Sequence, residues 1–462
     1  MVVKMDDSSG KDQAGTARTG AMPDWKAFVL ALSAMQIGPN LALAGGYQYP
    51  TSGEASWLVF GAAGLLGVLL TIVIGRFAAV DGQPLALLNH VQDVLPRWVS
   101  SLTASALLTA YLIGPATGVL GTTIYVDSIA QAAGLPAGHE ALMAAAIAAV
   151  IGLGAIRGLS WTATLSMILG TVCLPLALWM TVRASTAPAH PLLSTLPHSL
   201  SDFSLLASGA YVAMGFIIGF DCIVALASTT ANPRRTAPRA MKVGVIGAAA
   251  VLCIGVRLQS GALRPHLDAL AEGLSPSSIL LAADGNGRWS VAMDTILVAT
   301  AMAGLVAWLS GAAIVVSRAA GSGLLPSFLS VGTDDDPRRA VIGLTVVSIA
   351  LPAAFLLATH ASALSATVYL SNFMVLLWLV PYALACLALL VGRSTRHEPT
   401  HVCVAALAAL VLIVVFTFAQ FAAQADAVAL VVYAAGAVAV GGLAMLMSRA
   451  QRRGAALRLE SP

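Results

Sequence analysis

Gly215-Phe216-Ile217-Ile218-Gly219-Phe220-Asp221 lies inside an apolar segment that leaves through Asn232-Pro233-Arg234-Arg235-Thr236-Ala237-Pro238-Arg239. Two glycines loosen a helix. A carboxylate within a membrane span is costly and is kept mainly where a cavity or an ion path uses it. The segment therefore reads as an interrupted membrane helix with Asp221 at the interruption.

The surroundings agree with that reading. Of 462 residues, 58% are hydrophobic and 10% charged, and the mean hydropathy is +0.87, whereas a soluble domain carries about 25% charged residues. This is the composition of a polytopic membrane protein in contact with lipid. Twenty-four Lys and Arg against 21 Asp and Glu leave a formal charge of +3, too small to point to nucleic acid. Cys173, Cys222, Cys253, Cys386 and Cys403 are odd in number and lack metal or redox spacing, so they read as reduced packing residues. Residues 1–24 are polar, lack the apolar core of a signal peptide, and read as a disordered cytoplasmic tail.

Runs of about 20 apolar residues, enough to cross a bilayer, fall near 27–47, 57–79, 99–126, 140–156, 160–183, 203–228, 242–263, 290–317, 341–359, 364–391, 401–421 and 427–448. Twelve spans put both termini on one side. Basic residues gather at the two termini and in the even-numbered loops, leaving Arg183, Arg257, Arg264 and Arg288 on or towards the other face. Because Lys and Arg accumulate on the cytoplasmic side, both termini are expected in the cytoplasm, with the chain in the cell (inner) membrane.

Span 1 reads Gln36-Ile37-Gly38-Pro39-Asn40, where a Gly-Pro-Asn run is expected to break the helical ladder at mid-membrane depth. Span 6 breaks at Gly215 to Gly219. Either alone reads more readily as a proline kink or a packing glycine. Two breaks five spans apart form the pattern of an inverted-repeat transporter, whose half-helix ends face a small polar substrate at the midplane.

The chain resembles the amino acid–polyamine–organocation permeases along nearly its whole length. Ile218-Gly219-Phe220-Asp221 followed by Asn232-Pro233-Arg234-Arg235-Thr236-Ala237-Pro238-Arg239-Ala240 is similar to that family's sixth span and its exit loop. Gly323-Leu324-Leu325-Pro326-Ser327-Phe328-Leu329 is similar to the motif after its eighth span, with Ser322 where an acid usually stands. Of the family's span 1 pattern only Ile37-Gly38 remains. The resemblance implies an all-α fold of about 12 transmembrane helices. It would comprise a transport core over 25–391, built of inverted repeats 25–183 and 203–391 with helices 1 and 6 broken, two accessory helices over 401–448, and a basic cytoplasmic tail over 449–462.

It also implies a substrate between spans 1 and 6, framed by spans 3, 8 and 10. Ile37, Gly38, Pro39, Asn40, Gly215, Phe216, Ile217 and Gly219 are then candidate substrate-binding residues, with Trp308, Tyr111 and Tyr369 as candidate cavity walls or gates. Trp308 stands where antiporter relatives carry a substrate-facing tryptophan, and its ring face suits an ammonium or guanidinium as well as it suits packing. Pro39 lacks an N–H for a substrate carboxylate. Asn40 either offers its amide to the ligand or caps the second half of span 1.

Asp221 has two readings. Buried, it would be penalised as an anion and suited to carry a proton on and off. Ionised, it would cap the second half of span 6. Val172 stands where some proton-coupled relatives have a lysine, and Ser310 is followed by Gly311, Ala312 and Ala313 rather than by the hydroxyl pair of sodium-coupled relatives. Arg257 and Asp294 are expected to snorkel or to pair with each other. The eight histidines lack metal spacing, and no motif of a hydrolase, nucleotide-binding protein or metalloenzyme occurs. Neither enzyme chemistry nor a cofactor or metal is expected.

The expected function is permeation of amino acids or related amines by alternating access, as exchanger or proton symporter. A polyamine or organocation carrier and a non-transporting receptor that kept the fold are the alternatives. A homodimer is compatible with either.

Overall fold

The computed structural model describes residues 22–135, 138–186, 191–271, 274–283, 285–330, 337–423 and 426–460. Most of the expected N-terminal tail, 1–21, lies outside the described residues, as do the last two residues of the C-terminal tail. The helices, in chain order, are α1 (Asp24–Ala34), α2 (Ile37–Ser52), α3 (Ser56–Asp81), α4 (Ala86–Val94), α5 (Arg97–Ala132), α6 (Glu140–Ile156), α7 (Leu159–Ala184), α8 (Leu200–Ala213) and α9 (Cys222–Ala227). They continue with α10 (Pro233–Leu263), α11 (Leu267–Ala271), α12 (Pro276–Ala283), α13 (Ser290–Gly321), α14 (Arg338–Thr359), α15 (Ala363–Val391), α16 (Arg393–Arg396), α17 (Thr400–Ala423) and α18 (Ala427–Glu460).

Among the described residues, nine helical segments are long and apolar enough to cross a membrane. The first, Asp24–Asp81, contains both the α1–α2 pair and α3, and the shorter apolar helices Glu140–Ile156 and Leu200–Phe216 supply the fourth and sixth crossings. That restores the twelve spans read from hydropathy. The basic stretch 449–460 continues α18 as helix.

Crossings five apart in the chain pack on one another: α3 on α10, α5 on α13, α6 on α14. Two inverted copies of one five-helix unit produce this pairing. The α3–α10 seam is close because Gly64 presents no side chain, and a Cβ there would stand 2.5 Å from that of Ala249. In lipid, where apolar side chains gain little by leaving the solvent, such small-residue approach is what holds helices together.

The first interruption lies earlier than the Gly-Pro-Asn run suggested. α1 ends at Ala34, Gln36 takes a left-handed backbone with φ 47°, and α2 already begins at Ile37. Pro39 is thus in the first turn of α2, where its missing N–H would have had no intrahelical partner. The ladder resumes at once, with the Asn40 N–H donating to Gln36 O at 2.8 Å. The bend is made by a strained glutamine rather than by the proline, a conformation disfavoured for any residue with a Cβ.

At the end of the bundle that carries the termini, α4 forms the α3–α5 connection and packs against α15. His90 stacks on Phe77 with centroids 4.0 Å apart. Its Nδ1 accepts from Arg396 at 2.7 Å; Arg396 also bonds Asp93 at 3.0 Å, and Arg76 reaches Glu398 at 2.7 Å. Burial, aided by the Arg396 charge, lowers His90 to about 4 against the partial pull of Glu398 and Asp93. As pH falls through 6.5 the unfolded chain protonates this histidine while the folded protein resists until about 4. Folding stability is therefore lost progressively across that window. We expect the melting temperature to fall more steeply between pH 6.5 and 4 for the wild type than for His90→Gln, whose amide oxygen still accepts from Arg396. Parallel profiles would remove His90 as the cause.

Candidate functional site

The sixth crossing unwinds where the two glycines stand. α8 ends at Ala213, a single tight turn covers Met214–Phe216, and α9 starts only at Cys222. Gly219 has φ +87°, and a Cβ there would lie 3.1 Å from the indole of Trp308. Glycine is needed both for the backbone and for that approach.

The two breaks are tied by one side chain. The Asn40 amide nitrogen donates to Met35 O at 3.0 Å in the first break and to Phe216 O at 3.3 Å in the second. Both partners are acceptors, so the orientation of the amide follows from the contacts. Asn40 thus satisfies two carbonyls freed by the interruptions rather than capping α2, which shows no side-chain cap.

Beside this tie lies a cavity of about 90 Å³ walled by both breaks and by α5, α13 and α15. Pro39, Asn40, Gly215, Phe216 and Trp308 line it, joined by Gln36, Tyr47, Thr117, Thr122, Tyr125 and Ser371. No Asp, Glu, Lys, Arg or His is among its described lining residues. Phe216 meets the rings of Tyr47 and Phe60 edge-on at 5.3 and 5.6 Å, and the Tyr125 hydroxyl donates to Pro39 O at 3.1 Å. Trp308 is wedged against Gly114 and Gly219, and its indole N–H has no hydrogen-bond partner among the described residues.

The other candidates lie elsewhere. Ile37 and Gly38 line a separate, mostly apolar pocket of about 300 Å³ shared with α7, where Gly38 faces Cys173. Ile217 is buried and points towards Gly67 of α3. Tyr369 donates to Asp426 in the α17–α18 connection and packs near Phe355. Tyr111 reaches Asp221 instead of the cavity.

Asp221 stands at the start of α9 but makes no capping bond. The N–H groups it would have to serve donate to backbone, Ile223 to Phe220 O at 3.1 Å and Val224 to Asp221 O at 2.8 Å. Its carboxylate accepts from the hydroxyls of Tyr111 on α5 and Tyr382 on α15, each at 2.8 Å. Trp378 closes the cluster, edge-on to Tyr111 at 4.7 Å. Asp221 is buried, and no cationic side chain bonds to it among the described residues. If the carboxyl is protonated, one tyrosine can rotate its hydroxyl from donor to acceptor, so both states can be hydrogen-bonded. Tyr382 escaped the sequence reading because nothing in span 10 marks one tyrosine over another. Gln36 escaped because a left-handed backbone leaves no trace in residue type.

Arg257 and Asp294 do not pair with each other. Arg257 reaches Glu54 at 3.4 Å and Ser260 at 3.0 Å, and Asp294 is enclosed by serine hydroxyls. Glu54 lies between α2 and α3, and the serines come from α5 and the α10–α13 connection, partners that the linear sequence could not rank above each other's opposite charge.

A family model described as amino acid permease matches residues 24–444, nearly the whole of the chain. No individual curated protein matches it.

Proposed function

We propose that this chain, which belongs to the amino acid permease family and is therefore a membrane transporter, carries net-neutral α-amino acids by alternating access, coupled to protons through Asp221. The observation that supports this reading most is the cavity between the two tied breaks, whose described lining holds no Asp, Glu, Lys, Arg or His. A zwitterion brings opposite charges that sum to zero. It can be held by the positive end of α2 and by carbonyl oxygens such as those of Met35 and Phe216, without a formal counter-charge from a side chain. An organic cation entering the same space would leave its charge uncompensated, because Asp221 is absent from the lining and engaged with two tyrosines. We further propose the cell membrane as its location, with both termini cytoplasmic, on the distribution of Lys and Arg.

The experiment is a thermal-shift screen of the purified protein with neutral α-amino acids beside their decarboxylated amines, repeated on Trp308→Ala. A ligand confined to the folded state and present at 100 times its Kd stabilises by about 2.7 kcal/mol. An amino acid is expected to raise the melting temperature, its amine to leave it unchanged, and Trp308→Ala to weaken the shift. Stabilisation by amines alone would overturn the reading in favour of an organocation carrier.

A further inference from the structure

Away from the cavity, at the end of the bundle opposite the termini, one buried carboxylate is surrounded by four serine hydroxyls. Asp294, near the start of α13, is 1% exposed. Its Oδ2 accepts from Ser128 at the end of α5 at 2.8 Å and from Ser278 in α12 at 3.1 Å. Its Oδ1 accepts from Ser275 at 3.1 Å and from Ser277. The hydroxyls also meet one another, Ser275 with Ser277 at 2.6 Å and Ser128 with Ser278 at 3.3 Å. Ser275 and Ser277 are fully buried.

Six oxygens from three separate segments converge here. Among the described residues, the only formal charge in the cluster is that of Asp294, and no cationic side chain bonds to it. Removing one full negative charge from water with neutral donors alone is costly. A bound cation would remove that cost. Oxygen-only donor sets suit hard cations; calcium sites usually draw on several carboxylates and magnesium keeps several waters of its own, whereas a single carboxylate matches a single positive charge. Each serine can turn its proton outward and present a lone pair instead.

We propose that Asp294, Ser128, Ser275, Ser277 and Ser278 form a binding site for a sodium-sized monovalent cation. The ion pins the α11–α12 segment to α5 and α13. It is structural and separate from the transport cavity, so the proposal does not rest on the substrate assigned above. The segment it would hold lies over the end of α2, where Pro276 is close enough that a Cβ on Gly46 would stand 2.4 Å from its ring.

The test compares melting temperature and radioactive sodium binding in sodium, potassium and N-methylglucamine chlorides at equal ionic strength. We expect a saturable rise with sodium, absent in N-methylglucamine, and about one sodium bound per chain, the one-site form of ligand linkage. Asp294→Asn is expected to lose both, and Ser128→Ala, a milder change at the rim, to shift the half-saturating sodium concentration upward. Equal melting in all three salts without sodium binding would overturn the proposal, as would a sodium response that survives Asp294→Asn. In a further arm with calcium chloride, stabilisation by calcium in place of sodium would overturn the monovalent assignment. If Asp294→Asn fails to fold, an unchanged half-saturation in Ser128→Ala overturns it and a weakened one supports it.

Discussion

In vesicles, Asp221→Asn is expected to reduce uptake driven by an imposed proton gradient to the level of protein-free vesicles, while exchange of labelled for unlabelled substrate continues. The substitution keeps the shape of the side chain. One amide oxygen still accepts from Tyr111 or Tyr382, and the NH2 faces the other tyrosine, which rotates to accept. The break in the sixth crossing is therefore expected to survive, because Gly219 and the carbonyl tie to Asn40 are untouched. What is lost is the ability to take and release a proton in a site bridged to α5 and α15, helices that alternating access would move relative to α9. Gradient-driven uptake equal to wild type would show that Asp221 is a structural bridge only. Loss of exchange as well, in a protein that still melts cooperatively, would make its role positional rather than that of a proton carrier.

How much of this was legible in the sequence depends on the kind of signal each feature leaves. The twelve crossings were, because lipid imposes long apolar runs and those runs are the dominant pattern in the chain. The sixth-span break was, because it needs glycine at Gly219, where φ is +87° and Trp308 lies against the backbone. The first break was placed two or three residues late, since Gly38 and Pro39 are conspicuous breakers and the residue that turns the chain, Gln36, is not. Proline in a first turn is compatible with a helix, and the rule that it breaks one holds only further in. Asp221 stood out as a charge among apolar residues, but its partners could not be read. Tyr111 and Tyr382 come from helices 110 and 161 positions away, and hydroxyl donors occur in many spans. The serine cluster around Asp294 was hidden for a related reason: Ser275, Ser277 and Ser278 resemble ordinary loop composition until the fold brings Ser128 and Asp294 to them.

Replacing Asn40 should disturb the site most of all. Leucine has nearly the same shape and no donor, so Asn40→Leu leaves Met35 O and Phe216 O without the bonds they now receive at 3.0 and 3.3 Å. A buried polar group deprived of its partner costs about 1–3 kcal/mol. With two carbonyls affected and the cavity able to admit water to one of them, a destabilisation of about 2–4 kcal/mol is expected. The functional loss should exceed the loss of stability, because the amide is what makes the first and sixth crossings bend as a unit. We expect Asn40→Leu to melt lower than wild type and to show neither substrate-induced stabilisation nor uptake. Asn40→Asp should be no better, since a carboxylate cannot donate to either carbonyl and would add a negative charge between them. Asn40→Gln retains both donors on a longer stem, and partial uptake is expected if the tie itself is what matters. Wild-type melting and uptake in Asn40→Leu would show instead that the breaks hold their geometry through backbone and packing alone, with Gln36 and Gly219 setting the two bends independently.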